Sequence, residues 1–179
     1  KIWSTLHPVE NVSWTDCTRL LRRTNLELPT EAQWEFGCRA GTSTVYWSGN
    51  EAERLREVGN VADAYAKEHG GGSWPVAHGA WDDGNTIHAE VGSYRPNAFG
   101  LLDVHGNEWE WCRDWTGEYT LGTHAGDGER QVSVSQYRVI RGGSFNDAAA
   151  DARSANRLSV TPEFRNNDLG LRPARHIDP

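Results

Sequence analysis

Apolar positions recur at helical spacing in only two places along the chain. From Asn11 to Thr24, Cys17, Leu20 and Leu21 form a stripe, Ser13 is placed to cap, and Asp16 sits three residues on in a capping-box position. The second signal is Leu28-Pro29-Thr30-Glu31-Ala32-Gln33-Trp34-Glu35. Thr30 caps, Gln33 stands three residues later, and the helix is expected to run through Trp34 to about Arg39 before Gly41 ends it. Between Thr42 and Gly100 the pattern supports only a short helix around Glu51 to Val58, with loops at Gly70-Gly71-Gly72 and Asp82-Asp83-Gly84-Asn85. Short strands are expected at Val91–Tyr94, Trp109–Asp114, Arg138–Gly142 and Gly170–Arg175. Two early helices, long loops and a small late sheet describe an α+β domain, taken as single over residues 1–179, with no internal repeat and no linker.

A mean hydropathy of -0.70 and 37% apolar residues would suggest disorder, but nine Trp and five Tyr supply large buried areas. The domain is therefore expected to be packed yet rich in loops, and nineteen Gly agree with that. A net charge of -7 argues against nucleic acid, whose phosphates require clustered Lys and Arg. No apolar run exceeds three residues, so no membrane span or signal peptide is expected within the chain, and the compartment, cytoplasm or cell surface, stays open. Cys17, Cys38 and Cys112 form no CxxC pair and are expected as buried thiols, with one disulfide plus a spare as the alternative. A monomer is expected.

The seven histidines, His7, His69, His78, His88, His105, His124 and His176, show no HxH or HxxxH spacing and so indicate no zinc site. No P-loop or Gly-x-Ser-x-Gly elbow is present, and Ser144 has no visible base. Two acidic loops do have the chemistry of hard-cation sites, which need carboxylate, amide and carbonyl oxygens. One offers the side chains of Asp103 and Glu110 with the carbonyls of Val104, Gly106 and Glu108. The other joins Asn60 and Val61 to Asp83, Gly84 and Asn85. Trp109, Trp111 and Trp115 are expected to face a core and its rim rather than to form a sugar-stacking platform.

Three blocks stand in order: Leu28 to Glu35; Pro96-Asn97-Ala98-Phe99-Gly100-Leu101 with Gly106-Asn107-Glu108-Trp109-Glu110-Trp111; and Arg141-Gly142-Gly143-Ser144-Phe145 with Arg153-Ser154 and Gly170-Leu171-Arg172. Together, from about His7 to Arg175, they resemble the formylglycine-generating enzyme (sulfatase-modifying factor) superfamily. The resemblance implies a C-type lectin-like fold with little regular structure and a small, mostly antiparallel sheet. It also implies structural calcium at positions matching both acidic loops. The strand and helix region that family members usually carry ahead of the segment matching Pro8 to Trp14 is missing or short, so the chain is read as partial or as a minimal branch.

The resemblance further implies an oxidase that acts on Cys-x-Pro-x-Arg peptides through two cysteines that bind copper. Placed by the Gly-Gly-Ser-aromatic block, those positions are Asp147 and Ala152. Neither is a thiolate, the ligand that suits Cu(I), so no copper and no oxidase activity are expected.

The last block is most similar to a branch of the fold that serves as the variable protein of diversity-generating retroelements, in which template adenines are misread and AAC codons become NNC codons. That branch implies a hypervariable region of about 141–175, displaying a binding surface between residues 145 and 168. Its expected positions are Phe145, Asp147, Ala149, Asp151, Leu158, Ser159, Val160, Phe164 and Asp168, all reachable from NNC. Between Arg141 and Arg175 only Glu163 lies outside the reachable set. Phe145, Leu158, Val160 and Phe164 are expected as exposed anchors for a protein ligand, on a backbone held by frame residues such as Arg141 and Gly142. A decayed oxidase and a structural or regulatory module of a larger protein are the alternatives.

Overall fold

The computed structural model describes residues 4–70 and 79–175, so His78, His176 and part of the Gly70-Gly71-Gly72 loop lie outside the described residues. The two early helices form where their caps predict. Helix α1 (Trp14–Arg22) carries a complete Ser13/Asp16 capping box. Helix α2 (Glu31–Arg39) carries the Thr30/Gln33 equivalent and ends on Ala40 in the left-handed conformation, one residue before Gly41. Each box satisfies amides that a helix start leaves without partners. In α1 the buried stripe is Cys17 and Leu21. Leu20, expected within it, is exposed, because the helix turns one narrow face inward.

A 3-10 turn (Ala52–Glu57) occupies the expected short helix, and α3 (Ala64–Glu68), capped by Asp63, is an element the apolar pattern does not signal. The strands are β1 (Gly59–Asn60), β2 (His105–Gly106), β3 (Trp109–Trp115), β4 (Arg138–Arg141), β5 (Leu158–Val160) and β6 (Leu169–Gly170). β1 and β2 pair in parallel, and the main sheet has the order β5-β4-β3-β6. Its β3–β4 and β4–β5 pairs are antiparallel and its β3–β6 pair is parallel, so the sheet is mostly antiparallel as expected.

Two expected strands are corrected. Val91–Tyr94 is a turn, because the Asp103 carboxylate takes the amides of Gly92 and Tyr94 and leaves no ladder to build. Gly170–Arg175 shrinks to Leu169–Gly170. Pro173 has no amide to donate, and beyond it only Ala174 pairs, as an isolated bridge to Glu27.

Trp109 and Trp111 are buried, Trp111 in a cluster with Cys17, Leu21, Leu28, Ile140 and Leu169. Trp115 stands at the rim, where it and Trp14 sandwich the Arg138 guanidinium at 3.5 and 3.7 Å from their ring centroids. Cys17, Cys38 and Cys112 are free and buried, as expected.

Candidate functional site

The segment after β4 is irregular, and what fixes it is a buried arginine. Arg141 donates to the carbonyls of Ser154 (2.9 Å), Ala155 (3.1 Å) and Asn156, and to the Glu35 carboxylate. Those carbonyls belong to the backbone, so the grip does not depend on which side chains the segment carries. Tyr46 donates to the Ala149 carbonyl, and Ser154 N–H donates to the Val45 carbonyl. The His105 ring takes the Ala152 carbonyl at 2.7 Å through Nδ1, while its Nε2 accepts from the Trp47 amide. Burial holds His105 neutral, with its pKa lowered to about 4. Gly143 (φ +74°) lets the strand end pass the Ala149–Ala152 turn, where a Cβ would stand 3.0 Å from the Ala152 backbone.

Among the expected surface positions, the structure separates two groups. Leu158 and Phe164 are exposed at 49% and 42%, and Ala149, Asp151 and Ser159 are half-buried along the same segment. Phe145 is corrected: it is 5% exposed, its ring edge packed on His88 with centroids 4.5 Å apart, and so it belongs to the scaffold. Val160 is likewise corrected: it is half-buried, packed against the core cluster. The Asp147 carboxylate is occupied internally, accepting from Trp109 Nε1 (2.7 Å), Ser144 Oγ (2.6 Å) and Ser144 N–H (3.0 Å). Asp168 stands on the other side of Ser144 and is half-buried, and burial raises both carboxyls.

Asp147 and Ala152, the positions where the family resemblance places copper-binding cysteines, thus hold a hydrogen-bonded carboxylate and a fully buried methyl. No thiol stands at either one, and the donor set does not fit copper. Cys17 and Cys38 lie elsewhere, with burial pushing both thiols up to about 12.

The two acidic loops differ in what already occupies their oxygens. Asp103, Gly106, Glu108 and Glu110 line a cavity of about 310 Å³, but Arg172 already clasps Glu110 at 2.7 and 2.9 Å. In the other loop Asp83 reaches back to the Val61 amide (3.3 Å), and its own amide donates to Asp63. Burial, with Asp63 close by, pushes the Asp83 carboxyl up to about 7. Asp63 is fully buried and Asp83 half-buried, so two carboxylates stand side by side near amide groups, the oxygen chemistry that a hard cation takes.

A further cluster escaped the sequence reading. Glu10, His88 and Glu108 bring one ligand atom each within 4.8 Å of one another, from three separate segments. No spacing rule could have signalled it, because each residue comes from a different turn of the chain. Glu108 was expected to serve through its carbonyl. Its side chain is buried, and burial, then Glu10, Glu110 and Asp168, push its carboxyl up to about 9.

A family model described as a sulfatase-modifying factor enzyme 1-like domain matches residues 3–177. The formylglycine-generating enzyme of Thermomonospora curvata is 37% identical over 179 residues, covering 94% of this chain and 55% of the relative. The inactive C-alpha-formylglycine-generating enzyme 2 of Bos taurus is 31% identical, covering 93% and 50%. The chain therefore spans about half the length of these curated relatives. Among solved structures, PvdO from Pseudomonas aeruginosa superposes with a TM-score of 0.82 at 23% identity, covering 99% of this chain and 65% of that one. Treponema denticola variable protein 1 gives 0.72 at 24% identity, covering 94% and 70%. The fold is thus one shared by formylglycine-generating enzymes and C-type lectin-like variable proteins, and the chain belongs to the sulfatase-modifying factor family.

Proposed function

We propose that this chain is a non-enzymatic ligand-binding protein that displays a variable surface on the C-type lectin-like scaffold, diversified by a retroelement. The observation that carries the reading is the pairing of Asp147 and Ala152 at the two copper positions with a display segment gripped by its backbone through Arg141. Such a grip tolerates change in the side chains it does not touch, as a rigid scaffold tolerates variable loops. The contact surface is centred on Leu158 and Phe164, with Ala149, Asp151 and Ser159 beside them. Phe145, Asp147 and Val160 support it from beneath, and Asp168 stands at its edge. The ligand is a protein, met by apolar anchors within a polar rim. Calcium, held at Asn60, Val61, Asp83 and Asn85 and at the Asp103–Glu110 loop, would neutralise buried carboxylates and stiffen the loops under this surface.

Sequencing many copies of the gene from its natural population tests the reading. Differences concentrated at Ala149, Asp151, Leu158, Ser159 and Phe164, and traceable to adenines, are expected. Differences scattered over the whole chain would overturn it. The similarity to formylglycine-generating enzymes supplies a second reading, an oxidase. Incubation of the chain with copper, oxygen and a Cys-x-Pro-x-Arg peptide separates the two: no aldehyde is expected, and measurable conversion would establish the oxidase.

A further inference from the structure

We propose that Glu10, His88 and Glu108 form a site for a divalent transition-metal ion, of which zinc is the representative. His88 Nε2 stands 3.3 Å from Glu10 Oε2, 3.3 Å from Glu108 Oε1 and 2.6 Å from the Asn167 carbonyl. Three oxygens face one nitrogen, which can donate a single hydrogen bond. Glu10 Oε2 and Glu108 Oε1 are buried and accept no hydrogen bond among the described residues, although Glu108 is only 6% exposed. Leaving buried carboxylate oxygens in this way is costly, and a dication at the centre removes the cost. The two 3.3 Å spacings suit one, since donors about 2.1 Å from a tetrahedral ion stand roughly 3.4 Å apart, and the 2.6 Å contact to the Asn167 carbonyl is a hydrogen bond that Nε2 gives up when it binds the ion. One imidazole with two carboxylates, leaving a fourth position for water, is a set that zinc accepts.

The scaffold already points the donors inward. A Cβ on Gly170 would stand 2.0 Å from Glu108 Oε2, so the passing strand allows that side chain one course. Phe145 supports the His88 ring from one side, and the Asn11 amide ties the chain beside Glu10 to the Asn166 carbonyl at 2.9 Å. The ion would join the N-terminal segment, the loop carrying His88 and the Asn107–Trp109 region beside residue 167, next to the proposed contact surface. Its binding is measured independently of whether that surface varies.

The experiment is equilibrium dialysis of the full chain against zinc, with calcium in excess to occupy hard-oxygen sites. One zinc per chain is expected. His88→Gln and Glu108→Gln should each weaken it by roughly 100-fold or more, at least the loss seen for outer-shell partners. Glu108→Gln keeps the carbonyl proposed for calcium, so the two ions are told apart. The other His-carboxylate group, His124, Asp127 and Glu129, already shares its acids with Arg113, and His124→Gln should leave zinc binding unchanged. Absence of bound zinc, indifference to His88→Gln and Glu108→Gln, or loss on His124→Gln would overturn the proposal. X-ray absorption on the unmodified zinc-loaded chain keeps the test decisive if a variant fails to fold. One imidazole among oxygen donors supports the site, and two or more imidazoles or any sulfur refute it.

Discussion

Arg141 and Leu158 lie on neighbouring strands, and they carry opposite assignments. Arg141 is fully buried and its donors hold backbone carbonyls and a glutamate, whereas Leu158, on β5, is half exposed and faces outward. Under the proposed reading, side-chain chemistry is fixed where it grips the backbone and free where the backbone is gripped. The lesson is that an irregular segment can be rigid without being sequence-specific, provided that its hydrogen bonds run through carbonyls and amides.

Breaking the frame should have the largest effect. Arg141→Ala leaves Glu31 to Arg157 and Glu35 to Arg39 and releases three carbonyls, and it is expected to cost roughly 3–5 kcal/mol by urea unfolding. Next comes acid. His105 is neutral in the folded chain, with its pKa lowered from 6.5 to about 4, so its stabilising contribution is full above pH 6.5. The unfolded chain takes up the extra proton as pH falls from 6.5 towards 4, at about 1.4 kcal/mol per pH unit. A stability profile for His105→Gln should lose that slope; an unchanged profile would show that the Trp47 amide does not rely on a neutral ring as its acceptor. Removing calcium with a chelator is expected to lower stability by about 2.7 kcal/mol from a 100-fold saturated state, and a melting temperature indifferent to chelator would remove calcium from the picture. Gly143→Ala should cost about 1–2 kcal/mol, from its left-handed backbone and the close Ala152 turn. Leu158→Ser and Phe164→Ser sharpen the contrast from the other side. Both should stay within about 0.5 kcal/mol of the parent, and a larger loss at either would move that position into the frame.

Much of the fold was legible because it is written locally. The Ser13/Asp16 and Thr30/Gln33 boxes are complete in a few residues, and the Trp109–Trp115 and Arg138–Arg141 strands show in short runs. Val91–Tyr94 misled because the amides of Gly92 and Tyr94 are taken by Asp103, 11 and 9 residues downstream, a capture that no strand pattern reveals. Phe145 misled differently. Its neighbours in sequence read as display positions, but its ring is buried by His88, which arrives from another loop.

The sequence by itself determined the helix caps, the family blocks, the absence of thiols at residues 147 and 152 and the acidic loops, since each depends on residue identity over short spans. Only the tertiary structure decided which side chains face out, that Arg141 holds the segment around residues 154–156 by its carbonyls, and that Glu10, His88 and Glu108 meet. Those outcomes depend on the packing of segments far apart in the chain, where burial sets both exposure and charge, and no local pattern encodes that approach.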